Sequence, residues 1–107
     1  FRAQVMVAHG KECACCSIRS EELLEAAHIV PVAMDGIDSW RNGLPMCPTH
    51  HAAFDRNLLA FSPDDKHILV SREYRREEIG VTKAILRANV SKTALQLRFE
   101  LFIRNQP

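Results

Sequence analysis

Cysteine and histidine pairs recur in this chain at the spacing that holds a metal ion. Cys13 and Cys16 enclose two residues, and so do Cys47 and His50. Two intervening residues let both donors of a pair face one ion, so the four together suit a closed tetrahedral zinc site. The same stretch contains groups such a site leaves unused: His28 in Ala27-His28-Ile29, Asn42 in Arg41-Asn42-Gly43, and the pair His51 and Asp55. A structural zinc with spare imidazoles and a carboxylate beside it is the makeup of a metal-dependent hydrolase.

The donor set has open points. Cys15 stands as an alternative ligand to Cys16 or as a free thiol, and His51 as an alternative to His50. Two disulfides would need bridges among Cys13, Cys15 and Cys16, which lie too close in sequence for relaxed geometry. Buried cysteines with no metal are the plainer alternative. Zinc accounts for the spacing, and reduced cysteines point to a cytoplasmic protein. The metal would close residues 17–46, thirty in number, into a loop. Such a clamp contributes on the order of 10 kcal/mol of apparent folding free energy.

The elements that must position these groups are short. Residues 1–8 place apolar side chains at helical spacing, ended by Gly10, and a metal knuckle follows at 12–17. Ser20 ahead of Glu21 and Glu22 predicts a brief helix. His28-Ile29-Val30 reads as a strand stopped by Pro31, and residues 34–43 as a loop with Asp35-Gly36 and Asn42-Gly43 as turns. Pro48, directly after Cys47, suits the first position of a helix running to about Arg56. That helix puts His51 and Asp55 one turn apart on one face. Strands are expected at 58–61 and 67–70, a helix at 81–89, and either helix or strand at 94–103.

Composition sets wider bounds. The chain has 107 residues, 47% hydrophobic and 25% charged, as expected of one globular domain. No apolar run approaches the roughly 20 residues that cross a bilayer, so no membrane span is expected. The net charge of +1 hides an asymmetry, since residues 1–65 carry 5 Lys/Arg against 9 Asp/Glu and residues 66–107 carry 9 against 4. The acidic half is the one with the metal-type donors. The basic half either meets phosphates or presents a solvated face. A start at Phe1 rather than Met suggests a piece of a longer protein.

The ordered residues resemble the His-Asn-His (HNH) endonucleases of the zinc-bearing ββα-metal class. The resemblance rests on A-H-I-V-P, R-N-G-L and C-x2-H-H-x3-D, with His28, Asn42 and His51 as the signature residues. It covers roughly residues 1–70. The wording is most similar to bacterial HNH domains fused to DNA-recognition domains, including modification-dependent restriction enzymes. The implied fold class is α+β: a ββα-metal unit with a zinc knuckle and flanking helices. The implied layout is one nuclease domain over 1–107, with its core motif at about 9–70 and a basic extension at 71–107.

The resemblance also implies roles. His28 would be the general base, and His51 and Asp55 would hold one divalent ion at the scissile phosphate. Asn42 would pin the loop that orients His28, and Cys13, Cys16, Cys47 and His50 would bind the structural zinc. DNA would be the substrate, cut to leave a 5′-phosphate and a 3′-hydroxyl. Magnesium tolerates so few protein ligands, while manganese or nickel suits the imidazole. Ala27 departs from the family, many of whose members place a metal-binding Asp or His there. Two rivals follow: a non-catalytic zinc module that binds nucleic acid or protein, and a degenerate nuclease. Sequence preference would lie in a recognition domain elsewhere in the full chain. A homodimer is a further expectation, for which the apolar residues of 95–103 serve either as interface or as core.

Overall fold

A β-hairpin and the helix that follows it form the centre of the computed structural model, which describes all of residues 1–107. Strand β1 (Glu25–His28) pairs antiparallel with β2 (Gly43–Met46), and His28 stands opposite Gly43. Cys47 follows β2, and Pro48 opens the central helix (Pro48–Asp55). Proline suits that first position, where its missing N–H costs no helical bond. Together these elements form a ββα unit in a small α+β fold. An N-terminal helix, α1 (Arg2–His9), packs across the hairpin, and the central helix is therefore α2. A second hairpin of β3 (Leu59–Phe61) and β4 (Ile68–Val70) follows, and α3 (Lys92–Arg104) closes the chain. No helix is long and apolar enough to cross a membrane.

One core links these parts. Phe54 of α2, Phe61 of β3, Leu44 and Met46 of β2 and Leu95 of α3 are all essentially inaccessible, as are the cysteines of the knuckle. The buried residues of α3 are Ala94, Leu95, Arg98 and Phe102. Their spacing of one, three and four residues is that of a single helical face. This settles 94–103 as helix, with Leu95 and Phe102 in the core while Leu97 and Ile103 stay exposed. Ser91 caps its start by accepting from the Ala94 N–H at 3.1 Å.

The structure corrects four readings of the sequence. The first strand lies at 25–28 rather than 28–30, because Glu25 through His28 pair with β2 while Ile29 and Val30 turn toward Asn42. Asn42-Gly43 is no free turn, since Gly43 begins β2. A Cβ on Gly43 would sit 2.5 Å from Val5 Cγ2 and 2.7 Å from Phe1 Cζ. Glycine is required there for the close approach of α1. Ser20 caps nothing with its side chain, and Glu21–Leu23 form a single 3₁₀ turn. Residues 81–89 are extended instead of helical: the Ile68 N–H donates to Ala84 O and the Leu86 N–H to Lys66 O, both at 2.8 Å. Contiguous Ala84-Ile85-Leu86 lacks the three-to-four-residue spacing of a helix face and lies along β4 instead.

Candidate active site

The four donors of the knuckle and of α2 converge. Sγ of Cys13, Cys16 and Cys47 and a ring nitrogen of His50 all lie within 4.8 Å of one another, and all four residues are buried. His50 Nδ1 is 3.5 Å from Cys13 Sγ and 3.3 Å from Cys47 Sγ. A tetrahedral zinc with bonds of about 2.3 Å to sulfur and about 2.0 Å to nitrogen separates such ligands by about 3.5 Å. The donors therefore fit the ion. The other ring nitrogen of His50, Nε2, donates to Ile79 O at 2.7 Å, which leaves the Nδ1 lone pair for the metal. Backbone N–H groups of Cys15 and Cys47 point at Cys13 Sγ, both at 3.4 Å, as suits a thiolate.

The metal-free electrostatics assign Cys15 a separate place. A hydrogen bond from the Cys15 thiol, with others from His50 and the backbone, holds Cys13 down at about 2. Cys15 itself is pushed far above the ordinary thiol range, first by that bond and then by burial, and it stays protonated. It is not among the converging donors, so its role is to support Cys13. Burial pushes Cys16 up to about 12 and Cys47 upward as well. Burial opposes the protonation of His50, but its hydrogen bonds to Cys13 and Ile79 outweigh that and raise it overall. Behind the knuckle, Thr82 and Lys83 donate backbone N–H groups to Cys15 O, and Lys83 Nζ reaches Cys13 O at 2.8 Å.

The second group stands on β1, the loop that follows it and α2. His28 ends β1, stacked on the Phe1 ring with centroids 4.1 Å apart, and its Nε2 faces Asp38 Oδ1 at 2.8 Å. Asn42 is buried, and its side chain ties the loop after His28 three times. Its Oδ1 accepts from the Val30 N–H at 2.8 Å, and its Nδ2 donates to Val30 O at 3.2 Å and Ile37 O at 3.0 Å. Gly36 closes that loop, where a Cβ would collide with Val30 O.

His51 and Asp55 face each other across one turn of α2, with Nε2 to Oδ2 at 3.4 Å. Two cis ligands at about 2.1 Å from an octahedral ion stand about 3 Å apart, so this pair fits a divalent ion after a small side-chain rotation. Glu25, on β1, meets the opposite nitrogen of His51, with Nδ1 to Oε1 at 2.6 Å. Glu25, His51, Asp55 and Arg56 share an open hollow of about 440 Å³ with Pro48 and Ala52. No hydrogen bond or ion pair joins His28 to His51 or Asp55; each is held by its own carboxylate.

Ala27, in the middle of β1, has no accessible surface and offers nothing to an ion. Glu25 and Asp38 are absent from the reading of the sequence. Strand alternation puts Glu25 on the face of Ala27, a signal that the misplaced first strand hid. Asp38 lies in an irregular loop, where spacing carries no such signal. Among the other histidines, His9 Nε2 donates to Trp40 O at 2.8 Å and His67 pairs with Asp65.

Residues 13–62 match the sequence model of the HNH endonuclease family. No curated protein sequence gives a significant match. Among solved structures, a modification-dependent TagI restriction endonuclease is similar in fold, with a TM-score of 0.72 and 22% sequence identity over 94% of this chain. This chain spans only 36% of that protein's length. The family match begins at the first cysteine of the knuckle and runs past α2, and on it this segment belongs to the HNH endonuclease family.

Proposed function

We propose that this chain is the catalytic domain of a metal-dependent DNA endonuclease. The observation that carries the reading is the pair His51 and Asp55, one helical turn apart at 3.4 Å, on the ββα unit whose first strand ends in His28. Cleaving a phosphodiester requires a deprotonated water, neutralisation of charge on phosphate and stabilisation of the leaving oxygen. His28 is the base. With Asp38 accepting from Nε2, its Nδ1 is free to take the proton of the attacking water. The water oxygen bonds to phosphorus as the bond to the 3′ oxygen breaks, and the leaving oxygen takes a proton from solvent, giving a 5′-phosphate and a 3′-hydroxyl. His51 Nε2 and Asp55 would hold the divalent ion, Mg²⁺ or the more imidazole-loving Mn²⁺ or Ni²⁺. When bound, that ion neutralises the phosphate and the leaving oxygen. Asn42 keeps the loop of residues 29–42 in register, so that His28 stays aimed. Zinc on Cys13, Cys16, Cys47 and His50 fastens α2 to the knuckle and takes no part in the chemistry.

Recognition of sequence or modification is assigned to the remainder of a longer protein. Phosphate contacts position a nuclease without reading bases, and a net charge of +1 gives this domain little affinity of its own for DNA. Plasmid nicking by wild type and His28→Ala, at low salt with Mn²⁺ and with Mg²⁺, tests the reading. Cleavage by the wild type alone is expected. Equal cleavage by both overturns the assignment of His28, and cleavage by neither favours the zinc module without catalysis.

A further inference from the structure

We propose that Glu25 is the positioning residue of the ion site, accepting the Nδ1 proton of His51 and thereby committing Nε2 to the divalent ion. The inference rests on the ion site assigned above and deepens it. A neutral imidazole has one N–H and one lone pair, on opposite sides of the ring, so it binds a metal through one nitrogen only. Here the two nitrogens face two different carboxylates. Nδ1 lies 2.6 Å from Glu25 Oε1, the distance of a strong charge-assisted hydrogen bond. Nε2 lies 3.4 Å from Asp55 Oδ2, longer than such a bond and suited to two ligands sharing an ion. An ionised carboxylate only accepts, so the shorter contact fixes the proton on Nδ1 and leaves the lone pair on the side of Asp55.

The fold supplies Glu25 for this one contact. It is the first residue of β1, opposite Met46, and its side chain makes no hydrogen bond or ion pair except with His51. Successive strand side chains alternate in direction, so Glu25 and Ala27 share a face. Ala27 is enclosed in the core, which leaves Glu25 as the carboxylate of β1 that reaches α2. The hairpin thus contributes to the ion site through His51 rather than by a ligand of its own. Glu25 also orients the ring, since a hydrogen bond at Nδ1 restricts rotation about the Cβ–Cγ bond.

The test uses zinc-loaded protein and the variants Glu25→Gln and Glu25→Ala. Glu25 is half exposed, so both are expected to fold, with unchanged zinc content as the check. Long-range ¹⁵N–¹H spectra of histidine-labelled protein report the tautomer of His51, and calorimetric titration with Mn²⁺ beside a short duplex reports ion affinity. The wild type is expected to carry the His51 proton on Nδ1. Glu25→Gln, which keeps an acceptor oxygen, retains that tautomer and loses less than about tenfold in Mn²⁺ affinity. Glu25→Ala mixes the tautomers and loses about tenfold to a hundredfold, as removal of a partner behind a metal ligand does. A wild-type proton on Nε2, or Mn²⁺ affinity that Glu25→Ala leaves unchanged, overturns the inference alone. A wild type that binds no Mn²⁺ at all overturns the ion site itself, and the inference with it.

Discussion

Asn42 shows how one buried amide holds a loop in place. All of its hydrogen bonds go to the backbone of the loop that leaves His28, at Val30 and Ile37. Asn42→Ala removes the partner of the Val30 N–H and of two carbonyls in a part-buried loop, at an expected cost of about 1–3 kcal/mol. The expected outcome is a lower Tm together with near-complete loss of nicking, read by thermal melting and a plasmid assay on the same preparation. Asp38→Asn is milder in principle. Asp38 is mostly exposed, so stability should hold while kcat falls by about tenfold, because His28 loses the anion that steadies its Nε2 proton. An unchanged kcat would reduce Asp38 to a surface partner. At this scale the sequence was legible where chemistry demands spacing: the convergence of the four metal-type donors, and the one-turn interval between His51 and Asp55. It was silent on Glu25 and Asp38, because a carboxylate brought in by a strand face or a loop leaves no fixed interval from its histidine.

Elements outside the matched segment hold the site as firmly as those within it. Arg98 of α3 is buried, with its guanidinium stacked 4.1 Å over the Phe54 ring. It donates to Ile29 O, one residue after His28, and to Phe54 O, one residue before Asp55. Its Nη2 also lies 3.9 Å from Asp55 Oδ1. One side chain thus ties the end of β1 to the end of α2. Arg98→Met keeps much of the apolar bulk but frees both carbonyls, at an expected cost of about 2–4 kcal/mol in urea unfolding. Gly43→Ala acts from the opposite side, forcing a methyl against Val5 and Phe1 at a cost of about 1–3 kcal/mol. Because the Phe1 ring stacks on His28, that variant should also perturb the His28 ring resonances in NMR spectra. The central helix and second hairpin followed from Pro48 and from two short continuous apolar runs. The start of β1 and the whole of β2 did not, because Pro45 and Gly43 carry no strand signal and only the hairpin partner gives them one. The helix expected at 81–89 failed for a related reason, since that apolar segment is shaped by its pairing with β4.

For the whole molecule, the four converging donors add a metal-type crosslink to the core that the knuckle and α2 share. It fastens the knuckle to α2, while the knuckle's backbone accepts from Thr82 and Lys83 near the C-terminal end. Removing the metal should therefore melt the domain rather than loosen one loop, and chelator should abolish a cooperative thermal transition while zinc restores it. The protonation states give this a definite pH dependence. In the metal-free site Cys13 is already a thiolate at neutral pH, whereas burial keeps Cys16, at about 12, and Cys47 protonated. Zinc must displace those two protons, and a third wherever the raised His50 is charged. Groups whose pKa lies above the working pH compete with the metal, so affinity falls as pH falls. Two protons released correspond to about a hundredfold loss of zinc affinity per pH unit on going down from neutrality. Titrations in buffers of different ionisation heat count the protons directly. A count of at least two, rising toward three as His50 becomes charged on lowering the pH, is the expected result. A count near zero would mean that the thiols enter the folded site already ionised, and that burial does not control their charge.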